Sequence, residues 1–423
     1  MIFLWLACLA DLPTESAILF RHADSEQMIE EGVIEGFLFY NDLRQFGHFS
    51  WRSDPDGEMG QRCSFHVQDC TQNYLGAWGF QVEAYQNNRV VASARVKSNG
   101  HYRLRVPTSD ASAVRFLLRY CPEDLCFSFQ TDRAILYQLW HPQATQEAPI
   151  ELNDGGVDLG MVLFQPTGVL NGDADNHVHA TNHFASLMEL LYIWHGSTGV
   201  PFRSDSFGEL KITLPTNLDT SGRTRGPSDI QIAESAGWIK GNKIMHEYGH
   251  VLNLRAWDGQ YWFDGNSSPS WSATEPQEPH IAFKEGFANF IARSAGNNIR
   301  CEGSFDENND GSFALVGTPE DGLLYPRNVT KFLCDWYDQS NDDDPYIGGY
   351  GDVIAQPRPE KMYAILANTL LYAKSLSDRE LSICSFIDSA LDLREEVASE
   401  SDLLLYRQQL DAMAQNNHIL CAD

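Results

Sequence analysis

His246-Glu247-Tyr248-Gly249-His250 sets two imidazoles one helical turn apart, and few folds can accommodate such a pair. An α-helix turns once in about 3.6 residues, so on a helix both side chains leave the same face and converge on one point. Ile244, Met245, Val251, Leu252 and Leu254 surround them with apolar side chains, which predicts a buried helix over about Asn242 to Leu254. Two histidines inside such a helix need a partner, and a zinc ion accepts two imidazole nitrogens at once. Glu247, beside the first histidine, stands where a carboxylate can hold a water molecule and take its proton.

A catalytic zinc site takes three protein ligands and keeps a fourth position open, so a further ligand is expected downstream. The strongest candidate is Glu285, in Ile281-Ala-Phe-Lys-Glu-Gly-Phe-Ala-Asn-Phe-Ile-Ala292, where Ile281, Phe287, Ala288 and Ile291 predict an apolar face. A carboxylate aimed into such a surface is costly unless it meets a cation. Asp258, Asp264 and His280 compete for the role.

These residues resemble the gluzincin metallopeptidases, in which a helical glutamate follows His-Glu-x-x-His as third ligand. Glu285-Gly-Phe-Ala288 is similar to the corresponding stretch of the membrane-alanyl-type aminopeptidases, whereas His-Glu-Tyr-Gly-His looks more like the thermolysin and fungalysin branch. The resemblance covers roughly Asp173 to Tyr350 and is specific at these two motifs. It departs from the aminopeptidases in the long insertion Val251 to Lys284. It implies zinc held by His246, His250 and Glu285, and hydrolysis of a peptide or protein substrate with Glu247 as general base. A metzincin would carry Gly and His where Asn253 and Ala256 stand, which excludes that branch; an aspzincin would use Asp258 or Asp264. No Gly-x-Met-Glu-Asn-type signature precedes the motif, which favours an endopeptidase over an aminopeptidase.

Peptide hydrolysis also needs a donor to the oxyanion formed on the scissile carbonyl. Tyr346 and Tyr350 lie in the glycine-rich stretch Asp344-Pro-Tyr-Ile-Gly-Gly-Tyr-Gly-Asp352, and Tyr350 is the choice; covering the core is the competing role. Asn289, one turn after Glu285, stands where it can orient a metal-bound histidine, or cap and pack locally. His177, His179 and His183 form a further histidine group, for which a solvent-facing helix start is the simpler account.

The 423 residues, 43% of them hydrophobic, leave room for two or three folded domains. A net charge of -28 opposes binding to nucleic acid and to anionic membrane surfaces. Two acidic loops, Asp306-Glu-Asn-Asn-Asp-Gly-Ser312 and Asn341-Asp-Asp-Asp344, suit calcium. The first has Asp306, Asn308, Asp310 and Gly311 in calcium-loop positions but Gly317 where a bidentate glutamate is required, which favours a solvated turn. No segment reaches the roughly 18 apolar residues of a membrane span. Met1 to Ala10 resembles a signal-peptide core without its positive flank, so residues 1–25 are expected to be a leader segment. Cys8 belongs to that stretch, and the other eight cysteines are expected to pair as 63 with 70, 121 with 126, 301 with 334 and 384 with 421. Such pairing implies a secreted, extracellular protein, whereas free buried thiols would imply the cytosol.

The expected fold class is multidomain β plus α+β. Residues 30–166 carry short alternating runs: Gly36–Tyr40, Gly79–Tyr85, Val90–Val96, Tyr102–Val106 and Ala113–Tyr120. With turn signals at Gln86-Asn-Asn88 and Ser98-Asn-Gly100, they predict an accessory antiparallel β-sandwich. The stretch ending at Pro107 looks like transthyretin-like or carboxypeptidase-regulatory modules. Residues 170–423 are expected to form a zincin-like domain with a mainly helical C-terminal part. Its elements include a helix over His183 to His195, a strand over Ser228 to Ala233, and helices over Lys361 to Lys374 and Ser401 to Ala414. The rival function is a noncatalytic extracellular binding or adhesion protein with structural zinc, a site that has no use for Glu247.

Overall fold

The computed structural model describes residues 30–41, 74–121, 126–152, 156–164, 180–188, 190–191, 207–218, 222–233, 242–256, 272–294, 315–318, 320–337, 365–366, 381–395 and 399–421. Mixed β-sheets and helices make it an α+β structure.

Two sheets face each other in the first part of the chain. In one, β1 (Glu31–Asn41) pairs antiparallel with β2 (Tyr74–Gly76) and β5 (His101–Pro107), and parallel with β10 (Val157–Leu163). In the other, β3 (Gln81–Gln86), β4 (Arg89–Arg95), β6 (Ala113–Leu117) and β9 (Gln138–Trp140) run antiparallel in the order β4-β3-β6-β9. Strand β5 alternates as a half-buried strand must: Tyr102, Leu104 and Val106 point inward, Arg103 and Arg105 outward. The Tyr102 ring meets Phe116 of the opposite sheet edge-on at 5.3 Å between ring centres. The β3–β4 hairpin turns at Asn87 and Asn88, whose φ angles of 52° and 62° suit the primed turn that matches strand twist. The expected purely antiparallel sandwich needs one correction, since β10 lies parallel to β1. A parallel neighbour requires a long crossover, and the chain between β1 and β10, which includes the second sheet, supplies it.

A third sheet draws strands from both the early and the late parts of the chain. Its order is β12-β13-β11-β8-β7, formed by β7 (Arg119–Tyr120), β8 (Phe127–Gln130), β11 (Leu210–Thr216), β12 (Gly222–Gly226) and β13 (Asp229–Ala233). Strands β8 and β11 are parallel neighbours, so backbone hydrogen bonds cross the expected boundary between residues 166 and 170. Tyr137 Oη adds a 2.7 Å hydrogen bond to the Leu214 carbonyl. Helix α1 (residues 180–188) starts before the expected His183, and its Phe184 packs against Phe80, Phe127 and Phe129.

Helices α2 (Asn242–Ala256), α3 (Pro279–Ser294), α4 (Pro326–Tyr337), α5 (Ile383–Glu395) and α6 (Glu400–Asn416) complete the described fold. Pro279 and Pro326 open α3 and α4, where a missing N–H is harmless and a preset φ helps. Ser399 caps α6 by accepting from Asp402 N. Within the expected helix over 361–374, Ile365 and Leu366 are helical and buried; the remainder lies outside the described residues. Disulfides join Cys121 to Cys126 and Cys384 to Cys421, as the neighbour pattern predicts. Cys334 is also disulfide-bonded; Cys8, Cys63, Cys70 and Cys301, and with them the expected pairs 63 with 70 and 301 with 334, lie outside the described residues. No described helix is long and apolar enough to cross a membrane.

Candidate metal centre

Helix α2 lies against β12 and β13 and is buried on every side: Ile244, Met245, Tyr248, Val251, Leu252 and Leu254 belong to the core. Arg255 Nε closes its end with a 2.8 Å hydrogen bond to the Pro227 carbonyl in the β12–β13 turn. On its other side it meets α3 at Gly249. A Cβ on Gly249 would come within 2.7 Å of the Ala288 Cα, so the absent side chain lets the two backbones touch. Helix α3 is held in turn by α4, where Thr330 Oγ1 donates to the Gly286 carbonyl at 3.1 Å.

That close approach brings His246, His250 and Glu285 together. Glu285 Oε2 is 3.4 Å from His246 Nε2 and 3.2 Å from His250 Nε2, and the two nitrogens are 3.2 Å apart. The three residues are 6%, 7% and 3% exposed, so their polar atoms lie away from bulk solvent. Glu285 Oε2 is buried without a hydrogen bond of acceptable geometry. Three electron-rich atoms converging in a buried site repel one another unless a proton or a metal cation lies between them. Atoms bonded at about 2.0–2.1 Å to one tetrahedral ion stand about 3.3–3.4 Å apart, the spacing found here. This buried His-His-Glu group can hold a metal ion.

The surroundings prepare each ligand. Asn289 Oδ1 lies 2.9 Å from His246 Nδ1. An amide oxygen can only accept, so His246 donates there and keeps its Nε2 lone pair for the centre. Burial, the largest influence, lowers the His246 pKa and keeps the imidazole neutral. Burial by itself would raise the Glu285 carboxyl, but His250, His246 and Lys284 outweigh it and hold the group well below the usual range. Lys284 Nζ lies 3.4 Å from Glu285 Oε1.

Glu247 is 3% exposed and faces β12. Its Oε1 pairs with Lys243 Nζ at 3.1 Å, and its Oε2 accepts from Thr224 Oγ1 at 3.0 Å. Burial again raises this carboxyl, while Lys243, His246 and His250 overcome it and leave the pKa lowered, so the group stays a carboxylate.

Of the competing ligands, His280 pairs with Glu278 at 3.4 Å and stands apart from the buried group. Ile281 is half-buried rather than part of the apolar face. His183 is buried in α1; its expected companions His177 and His179 lie outside the described residues, as do Asp258, Asp264, Tyr346, Tyr350 and the loops 306–312 and 341–344. The reading of spacing missed Lys243, Lys284 and Thr224. Lys243 was open to it, being one turn before Glu247 on the same helix face. Thr224 carries no local signal, because it reaches Glu247 only through the docking of β12 on α2.

Comparison with protein families finds no match for this chain, and comparison with curated proteins finds none either. Among solved structures, a 9R-lipoxygenase from Cyanothece is matched at 8% identity, over 42% of this chain and 25% of that one. Its TM-score is 0.18, too low to carry any argument about fold or activity.

Proposed function

We propose that this protein is a zinc-dependent metallopeptidase, an endopeptidase acting on peptide or protein substrates. The observation that supports this most is the convergence of His246, His250 and Glu285 at 3.2–3.4 Å in a buried site, with Glu247 on the same helix. The donor set of two imidazoles and one carboxylate suits zinc, and three protein ligands are the number a catalytic site uses. Zinc, when bound, supplies Lewis-acid chemistry that acidifies water and polarises the scissile carbonyl.

The chain's own residues do the rest. The Glu247 carboxylate takes one proton from the attacking water as its oxygen bonds to the carbonyl carbon, and returns that proton to the amine as the C–N bond breaks. Burial around it keeps bulk water from competing for that proton. Tyr350 is the proposed donor to the oxyanion. The disulfides accord with a secreted protein, and an extracellular location is part of the proposal.

Wild type and Glu247→Gln are to be compared for zinc, by elemental analysis, and for cleavage of an unbiased peptide library. The expected outcome is about one zinc per chain in both and at least about a hundredfold less cleavage in the variant. Zinc without cleavage by wild type would favour the binding-protein reading, absence of zinc would overturn the central inference, and release of single N-terminal residues alone would replace endopeptidase by aminopeptidase.

A further inference from the structure

We infer that Lys243 and Thr224 are positioning residues for Glu247, holding its carboxylate from two elements in one defined resting position. The inference rests on the peptidase reading above and goes beyond it by assigning two residues outside the metal ligands and the base.

The hold is two-sided. Lys243, one turn earlier on α2, places Nζ 3.1 Å from Oε1. Thr224, on β12, places Oγ1 3.0 Å from Oε2 and 2.8 Å from the main-chain oxygen of the same glutamate. Each carboxylate oxygen is thus tied to a different element, which removes the rotations a lone glutamate side chain would keep. Gly222 lies close by: a Cβ there would stand 2.8 Å from Glu247 Oε1 and 2.9 Å from Lys243 Cε. Strand β12 therefore lies flush on the base, with its two-residue alternation setting Gly222 and Thr224 toward α2.

The hold is also releasable. A threonine hydroxyl has one proton, and here it has two acceptors, the carboxylate and the main-chain oxygen of Glu247. When the carboxylate swings toward a substrate, the hydroxyl turns to the carbonyl and is not left unpaired. Lys243, with 23% of its side chain exposed, has a flexible stem with which to follow. A general base must be aligned to within a fraction of an ångström yet move between water and leaving group, and this arrangement meets both needs.

Thr224→Val and Lys243→Met, each close in shape to the original, are to be tested in the full zinc-loaded chain beside wild type and Thr224→Ser. Readouts are kcat and KM on a peptide that wild type cleaves, bound zinc, and a denaturant double-mutant cycle of Thr224→Val with Glu247→Gln. We expect kcat to fall about tenfold or more in both variants with KM within about twofold and zinc retained, as for a group that acts on alignment rather than on binding. Thr224→Ser is expected to restore kcat, and the cycle to show coupling between the two sites. Unchanged kcat in both variants, or additive stabilities together with equal loss of zinc and activity, overturns the positioning role. Failure of wild type to cleave any peptide instead sinks the peptidase reading, and the positioning role with it.

Discussion

At His246 a single contact decides which nitrogen faces the metal site. Asn289 Oδ1 accepts from Nδ1 at 2.9 Å and so turns the Nε2 lone pair toward His250 and Glu285. Among the described residues, the buried His250 Nδ1 has no such hydrogen-bond partner. The orientation of the pair therefore rests unequally on the Asn289 amide. Replacing Asn289 by Leu is expected to weaken zinc binding about 10- to 100-fold, the usual cost of losing a partner behind a ligand. Competition with a chromophoric chelator measures this; an unchanged affinity would mean that the amide does not orient the ring.

The site as a unit belongs to the α2–α3 contact rather than to either helix. His246 and His250 share a face by helical repeat, but Glu285 reaches them only because Gly249 admits Ala288 to its backbone. Gly249→Ala tests this. Alanine favours a helix over glycine by about 1 kcal/mol, whereas overpacking a tight contact costs about 1–3 kcal/mol. The neighbours of the new Cβ would be the Cα at 2.7 Å and the oxygen at 3.3 Å of Ala288, backbone atoms that cannot rotate away. Crowding should win: the variant is expected to unfold at lower denaturant concentration and to bind zinc more weakly, because α3 must step back with Glu285. A variant that is more stable than wild type with unchanged zinc affinity would show that this contact does not set the site.

Over the whole molecule, early and late segments of the chain share the third sheet, where β8 lies on β11, and the Phe184 ring packs on both Phe80 and Phe127, so the stability of one part bears on the other. His141 makes that stability sensitive to pH. Burial lowers its pKa from 6.5 to about 4, with partial opposition from the Leu159 backbone, and its Nδ1 accepts from Gln143 N at 3.1 Å. The folded protein thus favours the neutral ring. Its contribution is fully present above pH 6.5, the unfolded value, declines as pH falls, and is gone by about pH 4. A shift of this size corresponds to about 3 kcal/mol across that window. His141→Asn keeps an acceptor for Gln143 and removes the titration, so the loss of stability between pH 6.5 and 4 should be shallower than in wild type. Denaturant midpoints across that range decide it, and parallel slopes would exclude His141 as the source.

How much of this was legible in the sequence follows from the range of each interaction. Periodicity over one helical turn located α2 and its histidines, alternation located β3 to β6, and the Asn87-Asn88 turn located their hairpin, since each signal lies within a few residues. Lys243 with Glu247 is equally local. The disulfides Cys121–Cys126 and Cys384–Cys421 also followed from spacing, as near neighbours close the shorter loops. Glu285 could be proposed from a carboxylate set in an apolar stretch, but its meeting with the histidines depends on helices packed at a glycine. The parallel β10, the shared sheet of β8 and β11, and the Thr224 contact to Glu247 were decided by tertiary structure alone. Such pairings join residues far apart in the chain, and whether they form depends on which packed arrangement buries the most apolar surface with every backbone group hydrogen-bonded, a property of the folded whole that no local window contains.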